Sequence, residues 1–260
     1  MSLSLLLYIG FGLFVLILLV SAVRSFAPQS HGSFQSFAPV GKRLSRTDAL
    51  SEKQKRLLTF SLLPSYLRAE PLLVLKQPGR HSARSKATLA EEWGLDDRDA
   101  ILAQLDYLLS GARSTSLDTE LMEGSELALS SRRAVASALL LSPSCLDAIN
   151  STYAWDCGEA AELAKLAYSA DFLSEQELWN YLEQISDNAQ RFGRDWYEYT
   201  LSYLLGRTMQ GESLALIKER AYTLFHLPKD ALVQEPNLNA YSRYRFTINK
   251  DGTGMCIDSH

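Results

Sequence analysis

The chain has 260 residues, 47% of them hydrophobic and 22% charged, with a net charge of −4. That is a globular composition with room for one domain of ordinary size and an extra segment. It carries no basic stripe of the kind that nucleic-acid binders show, and no nucleic-acid partner is expected.

Cys145, Cys157 and Cys256 are odd in number and lie at no CxxC spacing, and the four histidines are scattered. A disulfide framework and a zinc cluster are therefore not expected, and no metal ligand set is assigned. A reducing compartment fits this usage, with one buried pair left open.

From Leu3 to Val23 the chain is almost wholly apolar and carries no charge. As a helix this length crosses a hydrocarbon core of about 30 Å. Residues 1–23 are therefore expected to form one transmembrane helix, with a cleaved signal peptide as the alternative. Arg24, Lys42, Arg43, Arg46, Lys53, Lys55 and Arg56 follow it, which puts the C-terminal side in the cytoplasm by the positive-inside rule. Residues 24–50 read as a linker rich in Ser, Gln, Gly, Pro and Phe. Residues 51–260 read as the soluble domain.

That domain opens on a helical apolar set, Leu57 to Leu67, in which Pro64 is expected to end or kink the helix. Gln77 to Lys86 is polar and basic and reads as a loop; solvation is its plainest role, contact with anionic lipid the sharper one. Asp96 or Asp97 can cap a helix carrying Ile101, Leu105 and Leu108, which Gly111 stops. Ser114 to Ser130 reads as a loop around a short turn. Arg132 to Leu141 reads as a helix, with a further turn after Pro143.

The central stretch follows. One helix starts near Asp156 and carries Leu163, Leu166 and Ala167. The next starts at the N-cap Ser174, with Glu177 completing a capping box. A third runs from about Asp195 to Met209 with Trp196, Tyr199 and Tyr203 on one side, and a fourth from about Ser213 to Leu224. Short connections make the three central helices antiparallel neighbours. Tyr244, Phe246 and Ile248 alternate with polar residues before Asp251-Gly252, the pattern of a small β-hairpin. The expected fold is thus mainly α: a bundle-like soluble domain with a C-terminal hairpin, preceded by the membrane span.

At this point the chain resembles an uncharacterised bacterial family, domain of unknown function 1266. Trp93-Gly94-Leu95 and the helix after it look like the family's W-G-I segment. Ala154-Trp155-Asp156-Cys157-Gly158-Glu159 looks like its A-W-D-x-G-R motif, with Glu159 in place of the family's Arg. Trp196 through Tyr203 to Gly206-Arg207 looks like its third motif. The resemblance covers roughly residues 89–209. It implies an α-helical domain, a bacterial source and no established activity.

The polar residues leave two readings. Asp156 and Glu159, three apart, can share one helix face, and two close carboxylates can share a proton, hold a cation or act as acid and base. With Arg207 they would be the catalytic candidates of a hydrolase or toxin-like effector enzyme. The plainer reading makes Asp156 a helix cap and Trp155 a core residue, with Asp156 and Arg207 as a structural ion pair. Trp155, Asp156, Trp179, Trp196, Tyr203 and Arg207 would then frame a core, or an aromatic groove for a partner segment. Cys157 sits among negative charge with no nearby histidine, a poor nucleophile. The function expected is a membrane-anchored helical binding module at the bacterial inner membrane, held through Leu3 to Val23, facing the cytoplasm and taking a protein partner. No cofactor is assigned.

Overall fold

A computed structural model describes residues 50–68, 72–73, 75, 82–214 and 240–247. Helix α1, Glu52–Leu58, starts at Ser51, which forms a capping box with Gln54. A 3₁₀ turn, Thr59–Ser61, leads into α2, Leu62–Leu67. Pro64 stands at the third position of α2 and does not break it. The first-turn N–H groups of a helix have no internal partner, so the missing one costs nothing there. Helix α3, Ser82–Thr88, covers much of the segment expected to be a basic loop; a π turn, Leu89–Trp93, follows it and ends at Gly94 in the left-handed region.

Helix α4, Arg98–Ser110, is capped by Asp97 and stopped by Gly111 at φ 70°, as its sequence requires. The polar stretch after it is no loop. It forms α5, Ala112–Glu123, and the start of α6, Glu126–Leu139. Leu117 and Leu121 bury one face of α5, while the hydroxyls of Thr115 and Thr119 donate to carbonyls one turn back. The short α7 spans Ser144–Asp147. The three central helices are α8, Tyr153–Ser169, α9, Glu175–Phe192, and α10, Trp196–Met209. The capping box of Ser174 and Glu177 is present, and Asp195 caps α10.

Every residue of α8 is buried. Helices α9 and α10 both pack chiefly on α8 rather than on each other, and α2 to α5 close round the rest of it. A helix apolar on one stripe only would leave a face to water; α8 has none, so its polar side chains must be satisfied inside the protein.

Two expectations are corrected. The C-terminal segment is no hairpin over its described part: Ala240–Arg243 is a helical turn, α11, and no strand occurs among the described residues. Tyr241, Tyr244 and Phe246 all point into one core with Trp196 and Phe60, which a helical turn with Ala240 and Tyr244 four apart allows. Over the described part, packing of these side chains against the helices decided the conformation. Second, among the described residues no helix is long and apolar enough to cross a membrane. The span expected at Leu3 to Val23, the part beyond Leu214 of the fourth helix expected to reach Leu224, and Asp251-Gly252 lie outside the described residues.

Candidate functional site

The polar residues of α8 recur every three positions: Asp156, Glu159, Glu162 and Lys165 are all buried. Because a helix turns about 100° per residue, each step of three moves the side chain about 60° round the axis. The row therefore winds from one side of α8 to the other, and each member meets a different neighbour.

Asp156 is fully buried and faces the start of α5. Its Oδ1 accepts from Nε of Arg113, and its Oδ2 accepts from the backbone N–H of Ser114 at 3.2 Å. The α5 N-cap is Gly111, which has no side chain to offer. Asp156 thus caps α5 from another helix. The favour is returned: Asp118 of α5 accepts from the backbone N–H of Thr152 at 2.6 Å and from the hydroxyls of Thr152 and Ser151. Thr152 is the N-cap of α8 and supplies no cap of its own. Ser202 of α10 accepts from the N–H of Ala154 and donates to the Ser151 carbonyl, completing that helix start. Burial pushes the Asp156 carboxyl above its ordinary value, and Arg113 with Ser114 offsets this only in part.

Arg113 also lies over the Trp155 ring, 3.4 Å from its centroid. Arg113 Nη2 and the indole N–H of Trp155 have no hydrogen-bond partner among the described residues.

Glu159 turns instead toward α10. Its Oε1 accepts from the Tyr203 hydroxyl at 2.7 Å, and Arg68 stands 3.7 Å from its Oε2. Arg68 binds Glu92 as well and lies over the Trp93 ring. One step on, Glu162 Oε2 accepts from Ser65 Oγ at 2.7 Å and Lys165 Nζ at 3.0 Å. Lys165 donates also to Ser65 at 2.6 Å and Ser61 at 3.1 Å. Burial pushes the Glu162 carboxyl up, but Lys165, Arg68 and the Ser65 hydroxyl outweigh it and leave it below the usual range.

Asp156, Glu159 and Arg207 therefore do not meet in one pocket. Asp156 pairs with Arg113, while Arg207 pairs with Glu212 at 2.9 Å. A cavity one water in size, lined by Ala154, Phe192, Tyr199 and Ser202, touches neither carboxylate. Among the described residues no group of three or more His, Cys, Asp or Glu side chains is placed to hold a metal ion. Cys157 is buried, and burial together with Asp156 pushes its thiol well up, away from the reactive thiolate.

The aromatic residues are inside. Trp196, Tyr199 and Tyr203 are among the largest fully buried side chains; Trp155 is buried, and Trp179 is half-buried with its indole N–H on Glu175. Trp196 donates to the Tyr244 carbonyl at 2.6 Å and Tyr199 to the Phe60 carbonyl at 2.8 Å. No open aromatic groove forms from Trp196 and Tyr203.

The spacing of the two later motifs has a packing reason. A Cβ on Gly158 would come within 2.7 Å of the Tyr203 ring, and a Cβ on Gly206 would come within 3.0 Å of Trp155 Cβ. The glycine of each motif makes room for the aromatic residue of the other, and the two motifs are halves of one crossing between α8 and α10. Arg68, Arg113, Asp118, Glu162, Lys165 and Ser65 were not singled out by spacing. The repeat at every third position of α8 was the available signal for Glu162 and Lys165; the others belong to distant segments that no local pattern links to α8.

A family model described as "protein of unknown function (DUF1266)" matches residues 88–237, which contain all three motifs. No curated protein and no solved structure matches the chain.

Proposed function

The chain belongs to that family, and from this premise we propose that it is a helical binding module that takes a protein partner and performs no catalysis. The observation that carries the reading is the fate of the carboxylates. Asp156 and Glu159 are buried and held by Arg113, Ser114, Tyr203 and Arg68, so neither is presented to a substrate. A general acid or base must reach the proton it transfers, and a metal ligand must converge with others. Large apolar side chains that stay exposed on α5 and α6, Met122, Leu127 and Leu129, suit contact with a partner better than with water.

A location at a bacterial inner membrane with the helical part in the cytoplasm is included in the proposal. It rests on the composition of Leu3 to Val23 and on the basic residues after it. Cell fractionation with protease protection tests it.

Thermal unfolding tests the non-catalytic reading. Wild type and Asp156→Asn are compared with and without Mg²⁺, Mn²⁺ or Ca²⁺. The expected result is no response to metal in either protein. A metal that raises the midpoint of wild type alone would overturn the reading in favour of a carboxylate-based hydrolase.

A further inference from the structure

We infer that the last three members of the polar row of α8, Glu159, Glu162 and Lys165, form an interaction surface whose partner is the chain's own segment Leu50–Arg68, and that this segment is a permanent part of the folding unit although it precedes the family-matched residues. The chemistry is complementary at all three positions. Ser61 and Ser65 face Lys165, Ser65 donates to Glu162, and Arg68 faces Glu159. The same segment sets Phe60 in the aromatic core, where its carbonyl takes the Tyr199 hydroxyl.

A removable strap would bind through a few exposed contacts. This segment does the opposite: Leu57, Leu58, Phe60 and Leu62 are at most 1% exposed. Arg56 ties it further, donating to the Phe246 carbonyl and to Ser186 Oγ, both at 2.8 Å. Residues 240–247 join in turn through Trp196 and Tyr244, again outside the matched region. Take the N-terminal segment away and, among the described residues, Lys165 keeps Glu162 alone, while the face of α8 that the segment covers opens to water. The matched region thus does not close its own core. The row on α8 is filled in cis, so an outside partner binds another face.

Native-state hydrogen exchange on the full-length chain in detergent tests this. The backbone amides of α1 and α2 are expected to exchange through the same opening as those of α8, with the same dependence on denaturant. Ser65→Val, which removes one hydroxyl from the buried pair, is expected to speed exchange in both segments by the same factor, about tenfold. Exchange of α1 and α2 through a separate opening with little denaturant dependence, while α8 stays protected, would overturn the inference. So would a Ser65→Val effect confined to α1 and α2.

Discussion

Asp156 and Glu162 are two buried carboxylates six residues apart on one helix, and their acidities are moved in opposite directions. At Asp156 one guanidinium and Ser114, through its hydroxyl and its backbone N–H, face the charge, and burial wins. At Glu162 an ammonium, a guanidinium and a hydroxyl face it, and they win. The difference teaches that burial alone does not mark a functional carboxylate. What decides is how many cations stand beside it, one at Asp156 and two at Glu162. The start of α8 trades caps with α5; its middle is wired to the Leu50–Arg68 segment.

The comparison breaks hardest at Lys165. Lys165→Met leaves Glu162 buried without its hydrogen-bonded ammonium and should lower stability by about 3–5 kcal/mol in chemical denaturation. Adding Glu162→Leu should restore much of that loss, because replacing a whole buried pair by apolar side chains is close to neutral. No recovery in the double variant would show that the pair is more than structural.

Gly158→Ala comes next. Its Cβ meets a fully buried ring held by Glu159, so overpacking should cost about 1–3 kcal/mol. Tyr203→Leu in the same chain should relieve part of it, which a double-mutant cycle would measure.

Asp118→Ala removes the cap that α5 lends to α8 and should cost about 1–2 kcal/mol. Differential scanning calorimetry reads this as a fall in midpoint.

The pH dependence is the smallest effect and the sharpest test of the contrast. Glu162 is depressed, so its contribution is present above the usual Glu value of about 4.3 and lost as pH falls through the lower folded value. Asp156 is raised, so its ionisation weighs against the fold as pH rises from about 3.9 through the higher folded value. Stability measured across acidic pH should therefore show Glu162→Gln and Asp156→Asn departing from wild type with slopes of opposite sign. On the surface, Glu177 is held at about 2 by Arg98 and the Ser174 N–H, so its share should survive until pH falls toward that value. Slopes of the same sign would mean that the two sites are electrostatically alike.

Much of the fold was legible locally. Ser174 with Glu177, Asp97, Asp195 and Gly111 mark helix ends by short-range hydrogen bonds and backbone conformation, which sequence spacing encodes directly. The α5 region was illegible for the reason that makes it interesting. Its own sequence is polar and its N-cap is a glycine, so the helix stands on a cap supplied by Asp156, far along the chain. The Tyr244 and Phe246 alternation misled because a period of two does not by itself make a strand, and the aromatic core claimed those side chains.

By itself the sequence determined a helical chain, the helix ends at Asp97, Gly111, Ser174 and Asp195, and two motifs that belong to one family, because caps, glycine stops and periodicity act over a few residues; it set the start of α8 at Asp156, three residues past the observed Tyr153. Only the tertiary structure decided which groups meet. It turned Asp156 to Arg113 rather than Arg207, set the Gly158 and Gly206 motifs into each other, and closed the row on α8 with Ser61, Ser65 and Arg68. Those pairings join residues tens of positions apart, and no local pattern carries the distance between them; the demand that every buried charge find a partner selects among them once the helices have packed.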